Sequence, residues 1–302
     1  MEEQAPTVMF THPTHFTIRN SRSTAASLTL GLLLLIPYNL SFAQQRPLQT
    51  QDPAIINPGT ILWEFGFDFL QDAKYPQSGL RGDLTSLGVA GINVGLGRIV
   101  EFQIQGTVYN VLSVNERSPA PIIPKLNASG TATSDFGDLI FSTKILMIEE
   151  GRILPSVAFR PSVQLPNASS AKGLGLNSTQ FFGTFILGKH FSKLNTFSNL
   201  GLGILSNPIQ AGVQNDVLVY GIAGIYPMTS RVSVATEVFG RWSTRGNSVP
   251  LGTESLSQFR LGIQIHGAGF RWDVAGIAGL TRNSPHSGIT FGITKVFRLF
   301  QP

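Results

Sequence analysis

Between residues 60 and 298, twelve segments of about ten residues alternate bulky apolar side chains with polar ones or glycine, and the links joining them are alternately short and long. The segments fall near 60–70, 86–96, 99–110, 137–148, 153–165, 179–189, 196–205, 216–226, 231–242, 256–266, 270–280 and 287–298. Five short turns ("LGR", "EEGR", "KHFSK", "PMTS", "HGAGF") interleave with longer polar loops at 71–85, 111–136, 166–178, 206–215, 243–255 and 281–286. A period of two is the signature of a strand with two unlike faces. An even count of such strands, with both ends on the short-turn side, describes an up-and-down barrel with short periplasmic turns and longer external loops. A soluble sandwich has no reason to keep that order.

The parity of each strand divides solvent from lipid. In "ILWEFGFDFL", Ile61, Trp63, Phe65, Phe67 and Phe69 share one face, while Glu64, Gly66 and Asp68 hold the other. In "IVEFQIQGTVY", Phe102 and Ile104 oppose Glu101 and Gln103, and in "FRWDVA" Phe270 and Trp272 oppose Arg271 and Asp273. Lipid offers no partner to a backbone N–H or C=O, so the sheet must close and every strand edge be paired. The apolar faces then meet lipid. The polar faces line a lumen, with Glu64, Asp68, Glu101, Gln103, Lys144, Arg160, Glu237, Arg241, Arg260, Arg271 and Asp273 as its candidate residues. Opposite charges in a narrow barrel pair and compensate one another, and at other heights they set the selectivity of a path. Two features run against the pattern. Pro161 sits mid-strand and cannot donate to the ladder, which predicts a bulge or a local opening. Segments 196–205 and 216–226 alternate poorly, with glycines on one face.

Residues 1–43 read as a secretory signal peptide. Arg19 and Arg22 precede the apolar run 25–40, and Ser41 and Ala43 stand before a cut after Ala43. The run is too short for a membrane span and contains Pro37. Residues 44–59 ("QQRPLQTQDPAIINPG") form a periplasmic lead-in or a plug for the lumen, and residues 60–302 form the barrel. Cysteine is absent, which excludes disulfides and thiolate chemistry. Only 13% of residues are charged, and the net +5 is scattered rather than gathered into a basic stripe, so a nucleic-acid partner is not expected. No metal-ligand cluster and no cofactor motif emerge, and none is expected. A hydrolase would need Ser, His and an orienting group together. "PHSG" (285–288) sets His286 beside Ser287 but lacks the longer pattern of the barrel phospholipases, so the chain reads as a non-enzyme.

"SDFGDLIFSTKI" (134–145), "LPSVAFRPSVQLPN" (154–167) and "LGKHFSKLNTFSNLGLGI" (187–204) resemble the outer-membrane family named for the MetA pathway of phenol degradation. On that resemblance Gly137, Asp138, Leu139 and Lys144 take its Gly-Asp-Leu and Lys positions, and Leu165 and Pro166 its Leu-Pro; Asn167 replaces the usual Thr, and the Gly after it is missing. The final strand, "GITFGITKVFRLF", resembles the aromatic-rich strand by which such barrels are recognised for assembly, although Gln301 and Pro302 follow Phe300. The resemblance implies a channel in the outer membrane of a diderm bacterium, passing small solutes, aromatic or hydrophobic compounds among them, with lipids and the barrel-assembly machinery as partners. The alternatives are a structural or surface-interaction barrel with a closed lumen and, third, an outer-membrane lipid hydrolase.

Overall fold

The computed structural model describes residues 46–299 apart from 208, 211, 247 and 248; the leader at 1–43, residues 44 and 45, and the chain end at 300–302 lie outside the described residues. Thirteen antiparallel strands follow in order: β1 (Thr60–Tyr75), β2 (Leu80–Gly95), β3 (Val100–Arg117), β4 (Ala132–Asp135), β5 (Leu139–Ile148), β6 (Ser156–Leu165), β7 (Gln180–Phe191), β8 (Leu194–Ser206), β9 (Gln214–Pro227), β10 (Val232–Ser243), β11 (Leu256–Gly267), β12 (Phe270–Gly279) and β13 (Ser287–Arg298). All but β4 form the wall. Each pairs with its neighbours in sequence, and β13 returns to pair with β1 from Thr60↔Arg298 to Gln71↔Ser287, so the twelve-stranded barrel is closed. Closure leaves the twelve wall strands without an edge, as a lipid-facing sheet requires.

The parity read from the sequence holds around the wall. Phe65, Phe67 and Phe69 are exposed on the outer surface, while Glu64, Gly66 and Asp68 are buried inside. Rings pack along the outside, Trp63 and Phe65 stacked and Phe67 and Phe291 tilted. Trp272 lies near the short-turn end and Trp242 near the long-loop end, where amphipathic rings suit the two membrane boundaries.

Two expectations need correction at the external end. The segment 71–85 is not a loop: β1 and β2 run on and turn through residues 76–79 only. Their inner side chains Ala73, Tyr75, Leu80 and Leu84 pack with Leu112 and Leu174, while Arg81 bridges Asp72 and Glu116 outside. Polar outer residues hid this extension in the sequence, because above the membrane the outer face meets water. Asp72 absorbs the register shift between Leu70 and Ala73 in a left-handed conformation (φ 59°) that short polar side chains tolerate. The segment 111–136 is likewise part strand. β3 continues to Arg117, and β4 returns along it from Asn110↔Asp135 to Ser113↔Ala132. β4 keeps the register of β5, so the two are one strand interrupted at Phe136–Asp138.

Pro161 makes a local opening without a bulge. The β5–β6 ladder lapses between Ser142↔Ser162 and Ile145↔Phe159 yet resumes in the same register, while Pro161↔Gly183 pairs normally with β7. The missing N–H costs one ladder bond, and β7 holds the strand straight from the other side. The weak alternation of 196–205 and 216–226 has a packing cause. Gly203 lies against the Phe182 ring and Gly221 against Thr50, so the small inner positions make room for side chains that come from elsewhere.

Candidate functional site

The lumen is crossed by the chain itself. From Ile56 back to Arg46, residues make contacts with wall strands that follow one another around the barrel. Ile56 N–H donates to Glu101 on β3 (3.0 Å). The Asp52 carbonyl accepts from Lys144 Nζ on β5 (3.0 Å). Pro53 lies beneath Gly188 of β7, where a Cβ would meet its ring at 2.6 Å. On β8, the Asn199 amide, in the orientation that satisfies both partners, accepts from Gln51 N–H and donates to Gln51 O. Gln49 and Thr50 N–H groups donate to Glu237 on β10 (2.8, 3.0 and 2.8 Å). On β11, Arg260 Nη1 donates to Pro47 O (3.0 Å) and Gln264 Nε2 to Arg46 O (2.8 Å). Arg46 closes the circuit on β12, β13 and β1. It pairs with Asp273 (3.4 Å) and Asp68 (3.7 Å), and Nη2 donates to Thr290 (2.6 Å) and Phe291 O (2.9 Å).

Residues 46–56 are thus a ring laid against the inside of the wall, running from the short-turn end at Ile56, beside Gly95 and Glu101, inward to Arg46 beside Asp68 and Asp273. An extended chain spans at most ~3.3–3.6 Å per residue, so eleven residues close a circle of about 40 Å, roughly 13 Å across. With a backbone about 5 Å thick, judged from strand spacing, the clear bore is at most about 8 Å before any side chain is added. Two apolar anchors seat the ring: Leu48 packs with Phe197, Ala223 and Ala235, and Ile56 packs with Leu62.

All eleven sequence-derived lumen residues have inner-face side chains. Glu64, Asp68, Glu101, Gln103, Lys144, Glu237, Arg260, Arg271 and Asp273 are buried, and Arg160 and Arg241 are half-buried. The structure sorts them into separate groups. Glu101 pairs with Lys144 (3.5 Å) and accepts from Gln103 (2.7 Å), whose carbonyl takes Arg160 Nε (2.7 Å); Arg160 Nη2 continues to Gln105 (2.8 Å). Glu64 pairs with Arg271 (3.2 Å), which also donates to Thr294 (2.7 Å). Glu237 faces Arg260 at 3.8 Å, and that guanidinium lies over the Phe239 ring. Arg241 is held apart, near the external mouth, by the carbonyls of Glu254 (2.9 Å) and Gly252 (2.8 Å). Glu64, Asp68, Glu101, Glu237 and Asp273 each stand beside a cation, as buried charge requires.

Sequence reasoning missed Arg46 and Asp52 as members of this set. They are the only charged residues in the stretch 44–59, and that isolation was the available signal. A second, apolar recess of about 450 Å³ lies beside the interruption at Phe136–Asp138 and is lined by Ile92, Ile104, Val108, Phe136 and Leu139. The Ser287 hydroxyl, next to His286 in the chain, donates to Gln71 Oε1 (2.5 Å).

Among solved structures the fold is similar to an outer-membrane channel from Pseudomonas putida F1, with a TM-score of 0.56 and 15% identity over 81% of this chain and 97% of that one. A NanC porin superposes at TM-score 0.46 with 9% identity, covering 80% of this chain and all of the porin. The toluene transporter TbuX of Ralstonia pickettii superposes at 0.33 with 9% identity, over 81% and 90% of the two chains. No family model matches the sequence, and no curated protein matches it. Closed wall, apolar exterior and polar lumen define the class: a membrane-type antiparallel β-barrel of twelve strands.

Proposed function

We propose that the protein is an outer-membrane channel for passive entry of small solutes, aromatic or hydrophobic compounds among them, and that residues 46–56 close its lumen at rest. The observation that carries this reading is the way the ring is held. Glu64, Glu101 and Glu237 take its backbone N–H groups, Lys144, Arg260 and Gln264 take its carbonyls, and no covalent tie secures it beyond its continuation into β1. Each bond is individually modest, so the ring is a removable stopper on a preformed polar bore. The likeness of motifs to the phenol-degradation barrels supports the choice of solute class. The apparent leader at 1–43 supports export to the outer membrane, with lipid and the assembly machinery as the partners met on the way. The hydrogen bond from the Ser287 hydroxyl to Gln71 supports a non-enzymatic reading.

The test is planar-bilayer conductance of the mature chain against a chain beginning at residue 60. Larger discrete steps without the ring, with ion preference reversed by Arg160→Glu or Arg260→Glu, are expected. Silence in both chains refutes the channel and favours a barrel with a sealed lumen that works through its external loops.

A further inference from the structure

Above the ring the external loops form a roof. Ser78 Oγ donates to Gly173 O (2.7 Å), and Gln77 Nε2 donates to Leu251 O (2.7 Å), so the turn 76–79 ties two long loops together over the bore. Gly252, at φ 88°, lies against the Gln77 amide, a backbone shape and a clearance that favour glycine. Beneath this roof is a cavity of about 350 Å³. Its apolar wall includes Leu70, Leu84, Leu176 and Leu256, and its polar residues include Lys74, Asp138, Gln164, Arg241, Glu254 and Gln258. The pairs Arg241↔Leu256 and Phe239↔Gln258 place Arg241 and Gln258 diagonally on one inner face, and Gln258 is the next inner position outward from Arg260, which holds the ring.

The state of these polar groups selects the ligand. The acids have donors already: Asp138 accepts from Gln164 Nε2 (2.8 Å) and Ala168 N–H (2.8 Å), and Glu254 accepts from Gly252 N–H (3.0 Å). Lys74 is turned to Arg282 O (2.5 Å) and Asp72 (3.3 Å). Arg241 is different. Of the five N–H groups of a guanidinium it gives one from Nε and one from Nη2, both to neutral carbonyls. Gln258 lines the same space, and its Oε1 is buried without any hydrogen-bond partner.

We propose that this cavity binds a small monocarboxylate with a short apolar body. The carboxylate sits on the unspent edge of Arg241 with the Gln258 amide as second donor, a planar fork matched to a planar anion. The apolar body lies against the leucines. The proposal deepens the channel reading and rests on it for its biological sense, since the cavity is then the outer station of the path, directly above the ring.

Isothermal titration of the mature chain in lipid nanodiscs, with empty nanodiscs subtracted, tests it with three probes of one shape: hexanoate, hexanol and hexylammonium. Hexanoate is expected to bind at least about tenfold more tightly than hexanol, equivalent to about 1.4 kcal/mol. Arg241→Gln removes that preference and leaves hexanol binding as it was, and Arg241→Lys restores part of it. Arg245→Gln, an exposed arginine bonded to Gln214 O (2.8 Å), leaves the preference intact. Equal binding of the three probes, preference for hexylammonium, no binding of any, or a preference that survives Arg241→Gln overturns the proposal. If Arg241→Gln does not fold, judged by heat-modifiable gel migration, Gln258→Leu carries the test, and an unchanged hexanoate preference overturns it. Binding in a chain that never conducts defeats the channel reading and leaves the site standing; conductance without binding does the reverse.

Discussion

Glu237→Gln isolates the hold of the wall on the ring. Glu237 Oε1 accepts from Gln49 N–H at 2.8 Å, and Oε2 accepts from Gln49 at 3.0 Å and Thr50 at 2.8 Å. A glutamine keeps one acceptor. Placed at the Oε2 position, that acceptor preserves the bond to Thr50, but the NH2 then faces the Gln49 N–H, donor against donor. One charge-assisted bond is lost, worth about 1.5–3 kcal/mol. The ion pair adds less, because Arg260 stands 3.8 Å away and also has Pro47 O and the Phe239 ring as partners. Taking about 2 kcal/mol, the ratio of open to closed lumen rises roughly thirtyfold. Single-channel recording reads this ratio directly as open probability. The same substitution in a chain beginning at residue 60 should leave the open level nearly unchanged, because the ring it acts on is gone; this is a double-mutant cycle between a wall residue and a segment. An unaltered ratio in the full mature chain, or an equal change with and without the ring, refutes the reasoning.

A bulkier wall should act in the same direction by a steric route. Gly188→Leu drives side-chain atoms into the Pro53 ring, already 2.6 Å from where a Cβ would stand, and is expected to raise conductance part of the way to the ring-less chain; wild-type traces would count against the seat described. At the short-turn end, the hydrogen bond from His190 holds the Glu150 carboxyl down to about 2, from an ordinary 4.5. A depressed carboxylate pKa contributes stability that is complete above the ordinary value and lost as pH falls toward the folded one. The thermal-stability gap between wild type and His190→Ala is therefore expected to be widest near pH 5 and to close toward pH 2, with a ceiling of about 1 kcal/mol for a surface pair. A gap that stays constant over that range would show that the pair contributes nothing through Glu150.

The barrel was readable because a strand's period of two survives in sequence wherever its two faces meet unlike media. "ILWEFGFDFL" separates Phe65, Phe67 and Phe69 from Glu64 and Asp68 with no knowledge of neighbours. The same rule failed above the membrane. At residues 71–75 and 80–85 the outer face turns polar, contrast with the inner face is lost, and strand looked like loop. It was also silent on the stretch before β1, whose extended, proline-containing chain forms no ladder and shows no period. The sequence by itself determined which side chains enter the bore, since parity depends only on local geometry. Which of them meet was decided by the tertiary structure alone. Closure sets the stagger between strands, and it brings Glu101 to Lys144, Arg46 to Asp68, and, across more than two hundred residues of chain, Glu64 to Arg271 and Arg46 to Asp273.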